Sequence, residues 1–241
     1  MINIHAFDEY KYKIELHAHT MSESECAELS APDVARIYKN LGYDALVITN
    51  YFNYAYFSRG EKSARENFDL WYKNYLDAKE EGDKIGISIL FGLEAQFKDG
   101  SNDFLIYGVN YEVALELLSY IENYTYEEFR SAWKPKKSAV IIQARPCRGG
   151  GDPIDPAMVD GYEAFNLNTD HNSRIGPSAA FARKSGKLIT AGSDFRERGN
   201  EGTAALLTKT LPKDSFELAD ILKSRDYILS VGGFLTFPYE K

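Results

Sequence analysis

The chain has 241 residues, 44% of them hydrophobic, with 17 Tyr and 14 Phe. That suits one large domain with an aromatic core and excludes a disordered chain. A formal charge of −8 and a pI of about 5.1 exclude a general nucleic-acid or anionic-membrane surface, so any anionic substrate has to be captured by a local cationic site. The two cysteines, Cys26 and Cys147, form no disulfide framework and fit a reducing cytoplasm. Residues 1–13 lack the apolar core of a signal peptide, and no apolar run approaches transmembrane length. The expected location is cytoplasmic.

The first element is a strand over Tyr12–Thr20, alternating apolar and polar and ending on His17 and His19. Residues i and i+2 of a strand share a face, so both imidazoles project together from the strand's C-terminal end. Neutral imidazole is the commonest metal ligand, and two on one face supply half of a four-coordinate site. A structural or surface pair is the competing reading of an isolated His-x-His. Scarcity weighs against it, because the chain has only four histidines and two are here.

Ser30 then caps a helix with Pro32 in its first turn, Val34, Ile37, Tyr38 and Leu41 at helical spacing, and Gly42 as its stop. Ala45–Thr49 is a fully apolar strand of the kind found in parallel sheets, ending at Asn50. A helix is expected from Glu61 to Glu81 with Gly82 as its stop, then a strand over Ile85–Phe91 running into Gly92-Leu93-Glu94. Further strands are expected over Phe104–Val109, Ser138–Ile142, Gly161–Phe165, Lys187–Ala191, Ala204–Thr208 and Tyr227–Val231. Helical segments reach to about Trp133, and helices are expected over Pro177–Lys184 and Asp214–Lys223. No repeat or linker interrupts the chain, so one domain over 1–241 is expected. Strands alternating with helices predict a parallel α/β barrel or a distorted version of one.

The chemistry-bearing residues fall at predicted strand ends: His17, His19, Asn50, Glu94, Arg145, Glu163, Asp194 and Arg196, with His171 in a loop. In a barrel those ends converge on one face. Two histidines with the carboxylates Glu94 and Asp194 are a ligand set for Zn²⁺, Mn²⁺ or Fe²⁺.

Taken as a set, Glu15-Leu16-His17-Ala18-His19-Thr20, Val47-Ile48-Thr49-Asn50-Tyr51, Gly92-Leu93-Glu94, Gln143-Ala144-Arg145-Pro146, Glu163-Ala164-Phe165-Asn166 and Gly192-Ser193-Asp194-Phe195-Arg196 resemble, in order, the motifs of the polymerase and histidinol phosphatase (PHP) superfamily. The resemblance implies a distorted (β/α)7 TIM-like barrel that holds up to three metal ions and hydrolyses phosphate esters. It implies that His17 and His19 are the first-strand ligand pair, that Glu94 is a metal-bridging carboxylate, that Asp194 is the last-strand ligand, and that His171 stands where a ligand often does.

The departures are specific. Asn50-Tyr51, Arg145 and Arg196 stand where the family has Asp-His, a His before proline, and a final His. An arginine has no lone pair for a metal, so the resemblance implies one principal metal site. Glu23, Glu25 and Cys26 lie where the family sometimes has another ligand, and no metal is assigned to them. An arginine does offer a fixed fork for phosphate, so Arg145 and Arg196, with Arg148 as a third donor, are expected to bind substrate phosphate. The competing reading makes Arg145 and Arg196 charge partners of Glu94, Glu163 or Asp194, and Arg148 a solvated loop charge. His171 or Glu163 is expected to assist proton transfer. The function expected is a metal-dependent phosphoesterase acting on a small phosphate ester. The alternative is a catalytically impaired PHP-fold module that binds a phosphorylated metabolite or a protein partner.

Overall fold

The computed structural model describes residues 7–21, 27–100, 102–133 and 138–239; Glu23, Glu25 and Cys26 lie outside them. Strand β1 spans Tyr12–Ala18 and helix α1 Ala31–Asn40. Ser30 caps α1 by accepting from the Asp33 amide, and Val34, Ala35, Ile37 and Tyr38 form its buried face. After β2 (Ala45–Ile48), the short strand β3 (Tyr51–Asn53) and one helical turn α2 (Tyr54–Phe57), the long helix α3 covers Ala64–Ile85.

The boundaries of α3 differ from expectation at both ends. Ser63 and Glu66 form a capping box that starts it. Gly82 does not stop it: a Cβ there would sit 2.5 Å from Ile89 Cγ1 and 2.7 Å from the Ile87 carbonyl oxygen. That glycine is a packing residue inside the helix, and Gly86 at φ +76° provides the left-handed end.

The next elements are β4 (Ser88–Phe91), β5 (Leu93–Gln96), β6 (Asp103–Tyr107), α4 (Tyr111–Asn123), α5 (Tyr126–Ala132), β7 (Val140–Gln143), β8 (Gly161–Asn166), α6 (Ile175–Ser185) and β9 (Leu188–Gly192). The chain ends with β10 (Ala204–Thr208), α7 (Ser215–Ser224), β11 (Tyr227–Val231) and β12 (Phe234–Thr236). Two six-stranded sheets result, in the orders β12-β11-β10-β1-β2-β4 and β3-β5-β6-β7-β8-β9.

The sheets are mixed, a departure from the regular parallel barrel and on the side of the distorted version also expected. β6 runs antiparallel to both β5 and β7, and β10 runs antiparallel to β1 and β11. The reason for β6 is length: the link from Gln96 to Asp103 is too short for a crossover, so the chain can only turn back.

Two strands pass from one sheet to the other by a local break. β2 becomes β3 across Thr49-Asn50, and β4 becomes β5 across Gly92, whose amide donates to the Ile48 carbonyl at 3.0 Å. A Cβ at Gly92 would lie 2.9 Å from Val47 Cγ1, so the close passage of these strands requires glycine. At the other flank Phe195, just beyond β9, donates to the His17 carbonyl at 3.2 Å and accepts from the His19 amide at 2.8 Å. β2 is buried on both faces: Ala45 and Val47 pack into the larger apolar core, while Leu46 and Ile48 pack against α1 residues in a second one. Among the described residues no helix is long and apolar enough to cross a membrane.

Candidate metal centre

β1 delivers His17 and His19 to one buried point, as the two-residue period requires. Their Nε2 atoms face each other at 3.1 Å. β5 brings Glu94, whose Oε2 lies 3.5 Å from His17 Nε2 and 3.2 Å from His19 Nε2. Asp194, just after β9, brings Oδ1 to 3.4 and 3.3 Å from the same two nitrogens. One ligand atom from each of these four buried residues lies within 4.8 Å of every other. These are the four residues expected as metal ligands.

The surroundings fix the ligand atoms. His17 Nδ1 is 2.7 Å from Glu163 Oε1, which aims Nε2 at the centre. Glu163 Oε2 accepts from Asn166 Nδ2 at 2.9 Å, and the same amide reaches Asp194 Oδ2 at 3.2 Å. Glu163 was expected to assist proton transfer. It is buried with both oxygens engaged, so the geometry gives it an orienting role on His17. Beneath the ligands Glu15 accepts from the His17 and Ser193 amides and from Tyr38 Oη, and burial pushes its carboxyl up to about 7.

Arg145 follows β7 at φ +48° and is 3% exposed. Its Nη1 donates to Asp194 Oδ2 at 2.7 Å, and its Nη2 to Glu94 Oε1 at 2.6 Å and Asp103 Oδ2 at 2.5 Å. The expected phosphate contact from Arg145 therefore meets a guanidinium already enclosed by three carboxylates, which is the arrangement of the charge-partner reading. Arg196 is different. It donates through Nε and Nη2 to Asp194 Oδ1, both at 3.0 Å, and through Nη2 to Tyr51 Oη at 2.5 Å, while 17% of its side chain is exposed. Arg148 sits at the rim, 41% exposed and 3.4 Å from Asp103 Oδ2. His171 lies beside the centre, its buried Nε2 3.6 Å from Asp194 Oδ2 and without a hydrogen-bond partner among the described residues.

Sequence reasoning missed Asp103. It opens β6 within a stretch rich in turn residues, where a single acid carries no signal of its buried partner. Asn50, just after β2, holds the segment that follows β1: its Oδ1 accepts from the Thr20 amide at 2.7 Å and its Nδ2 donates to Thr20 Oγ1 at 2.8 Å.

Whether these residues fit a metal ion is decided by what they leave unsatisfied. Glu94 Oε2 is buried with no hydrogen-bond partner among the described residues. Two imidazole nitrogens converge on it, and a cation among them would satisfy all three. Burial opposes protonation of His17, yet Glu163, Asp194 and Glu94 outweigh it and hold its pKa well above the usual imidazole value. Burial alone would raise Glu94 and Asp194. The charge of Arg145 and His17 instead holds Glu94 well below the carboxylate range, and His17, His19, Arg145 and Arg196 do the same for Asp194. The field that draws a proton onto His17 draws a divalent ion equally. Charge agrees: with the imidazoles neutral, as metal binding requires, Glu94, Asp103, Glu163 and Asp194 against Arg145, Arg196 and Arg148 leave an excess of one negative charge. The donor set fits a divalent metal.

Solved structures that share the fold include a two-domain protein of Bacteroides vulgatus containing a predicted PHP-like metal-dependent phosphoesterase, with a TM-score of 0.62 at 15% identity over 95% of this chain and 67% of that one. Another is PsfC of Pseudomonas syringae, with a TM-score of 0.62 at 14% identity over 87% of each chain. No sequence-family model matches the chain, and no curated protein matches it in sequence. The likeness is therefore one of fold: the chain shares its α/β fold with these two structures, and His17, His19, Glu94 and Asp194 form a buried group that could hold a metal ion.

Proposed function

We infer that the protein is a divergent PHP-type phosphoesterase that hydrolyses a small phosphate ester with a divalent ion held by His17, His19, Glu94 and Asp194. The observation that carries this reading is the orphaned Glu94 Oε2 facing two imidazole nitrogens in a buried, negatively charged centre. The ion supplies Lewis acidity toward a phosphoryl oxygen and toward water. Glu163 fixes the orientation of His17, and Asn166 ties Glu163 to Asp194. The partly exposed Arg196 and the exposed Arg148 at the rim receive the substrate's phosphate oxygens, while Arg145 balances the carboxylates beneath them. Burial, together with Arg145, Arg196 and Arg148, lowers the pKa of His171 against the pull of Asp194, so its imidazole is neutral near pH 7 and its Nε2 can accept a proton.

The architecture proposed is a single domain built as a distorted (β/α)7 barrel. The Phe195 bridge to β1 and the two strands that cross between sheets support it. A substrate that is neither nucleic acid nor membrane belongs to the same proposal and rests on the acidic composition, and a cytoplasmic location rests on the cysteine usage.

The test is metal analysis of protein purified without chelators, paired with hydrolysis of p-nitrophenyl phosphate. Bound transition metal, together with turnover that Asp194→Asn lowers at least 100-fold, supports the reading. Protein that holds no metal and takes up neither Zn²⁺ nor Mn²⁺ overturns it. The arginines in the site favour one second reading, the catalytically impaired binding module. Metal-loaded protein that binds phosphate without turnover would select it.

A further inference from the structure

The two central carboxylates each face two ways. Glu94 turns Oε2 to the imidazoles and Oε1 to Arg145 Nη2 at 2.6 Å. Asp194 turns Oδ1 to the same imidazoles, where it also accepts from Arg196 Nε and Nη2 at 3.0 Å, and turns Oδ2 to Arg145 Nη1 at 2.7 Å. Both therefore bridge two adjoining positions, one between the histidines and one filled by a guanidinium. Asp103 Oδ2 closes on that guanidinium from a third side, and His171 Nε2, which has no hydrogen-bond partner among the described residues, lies 3.6 Å from Asp194 Oδ2. Without Arg145, the second position would be ringed by Glu94 Oε1, Asp103 Oδ2, Asp194 Oδ2 and His171 Nε2, which is a ligand set for a divalent ion.

We propose that the Arg145 guanidinium is a built-in cation in a second cation position, so that the centre accepts one divalent ion and no more. The inference rests on the metal reading above. A guanidinium does not deprotonate, so it cannot yield its place by losing charge. It repels a second cation and offers no lone pair to one. It also holds Glu94 and Asp194 with one oxygen each turned inward, so the ligand geometry exists before the ion arrives. Arg145 is thus a positioning residue that acts through those two carboxylates.

The experiment is calorimetric titration with Zn²⁺, checked by metal analysis, on the full chain and on Arg145→His, Arg145→Ala and Arg145→Lys, each first shown to be folded by circular dichroism. The expected stoichiometry is one ion for the native chain and for Arg145→Lys, and two for Arg145→His, with the second lost when His171→Ala is added. Two ions in the native chain, or one in folded Arg145→His and Arg145→Ala, would overturn the proposal while leaving the metal reading standing. No binding by the native chain would defeat the metal reading itself. Should the variants not fold, anomalous diffraction from Mn²⁺-soaked native crystals decides: a single peak between His17 and His19 supports the proposal, and a second peak beside Arg145 ends it.

Discussion

Glu163 has two carboxylate oxygens, and neither faces a substrate: one is 2.7 Å from His17 Nδ1 and the other accepts from Asn166. Its effect on metal binding is therefore through the ring it orients. Glu163→Gln should weaken Zn²⁺ affinity by roughly 10–100-fold, the usual consequence of losing a partner behind a metal-bound histidine. Calorimetric titration measures this directly, and unchanged affinity would remove Glu163 from the site. Arg196 makes the opposite case. It is partly exposed and shares its bonds between Asp194 and Tyr51, so Arg196→Gln should leave metal stoichiometry unchanged and weaken inorganic phosphate binding by about tenfold, near 1.4 kcal/mol. Phosphate binding that does not change would place Arg196 with Arg145 as a charge partner.

At the scale of elements, the centre depends on how closely β9 approaches β1 and β8. Gly192 ends β9 where an added Cβ would fall 2.6 Å from His17 Cβ and within contact of Glu163 Oε1. His17 Cβ is fixed by β1, and Glu163 Oε1 can give way only by leaving His17 Nδ1. Gly192→Ala should cost about 1–3 kcal/mol by overpacking and should weaken metal binding by displacing the His17–Glu163 pair. Thermal unfolding and a Zn²⁺ titration of the same sample check both effects. The cap of α3 is remote from the site and gives a control. Ser63→Ala removes the capping box at a cost of about 1 kcal/mol, with metal affinity unchanged.

For the whole molecule, metal occupancy and stability are linked. The unfolded chain has no preformed cluster, so an ion bound to His17, His19, Glu94 and Asp194 stabilises only the folded state. At a free metal concentration 100 times Kd the gain is about 2.7 kcal/mol. Differential scanning calorimetry should therefore show Tm rising with added Zn²⁺ or Mn²⁺ and falling with chelator. A Tm insensitive to both would mean that no ion belongs to the native state.

The sequence by itself determined the features that depend on neighbours along the chain. The His17–His19 pair was legible because strand periodicity leaves two residues at i and i+2 no choice but one face. Ser30 with Pro32 and Asp33 announced the start of α1 because capping is a local bond. Glycine was read less well: Gly82 and Gly86 look alike in sequence, and only the packing of Gly82 against Ile89 shows which of them ends α3. The tertiary structure alone decided who meets whom. Asp103 reaches the centre because β6 turns back between β5 and β7, a register that no residue near Asp103 encodes. The role of Arg145 was open for the same reason, since a guanidinium matches a phosphate and a carboxylate equally well. Its assignment waited on the strand order that places Glu94, Asp103 and Asp194 around it.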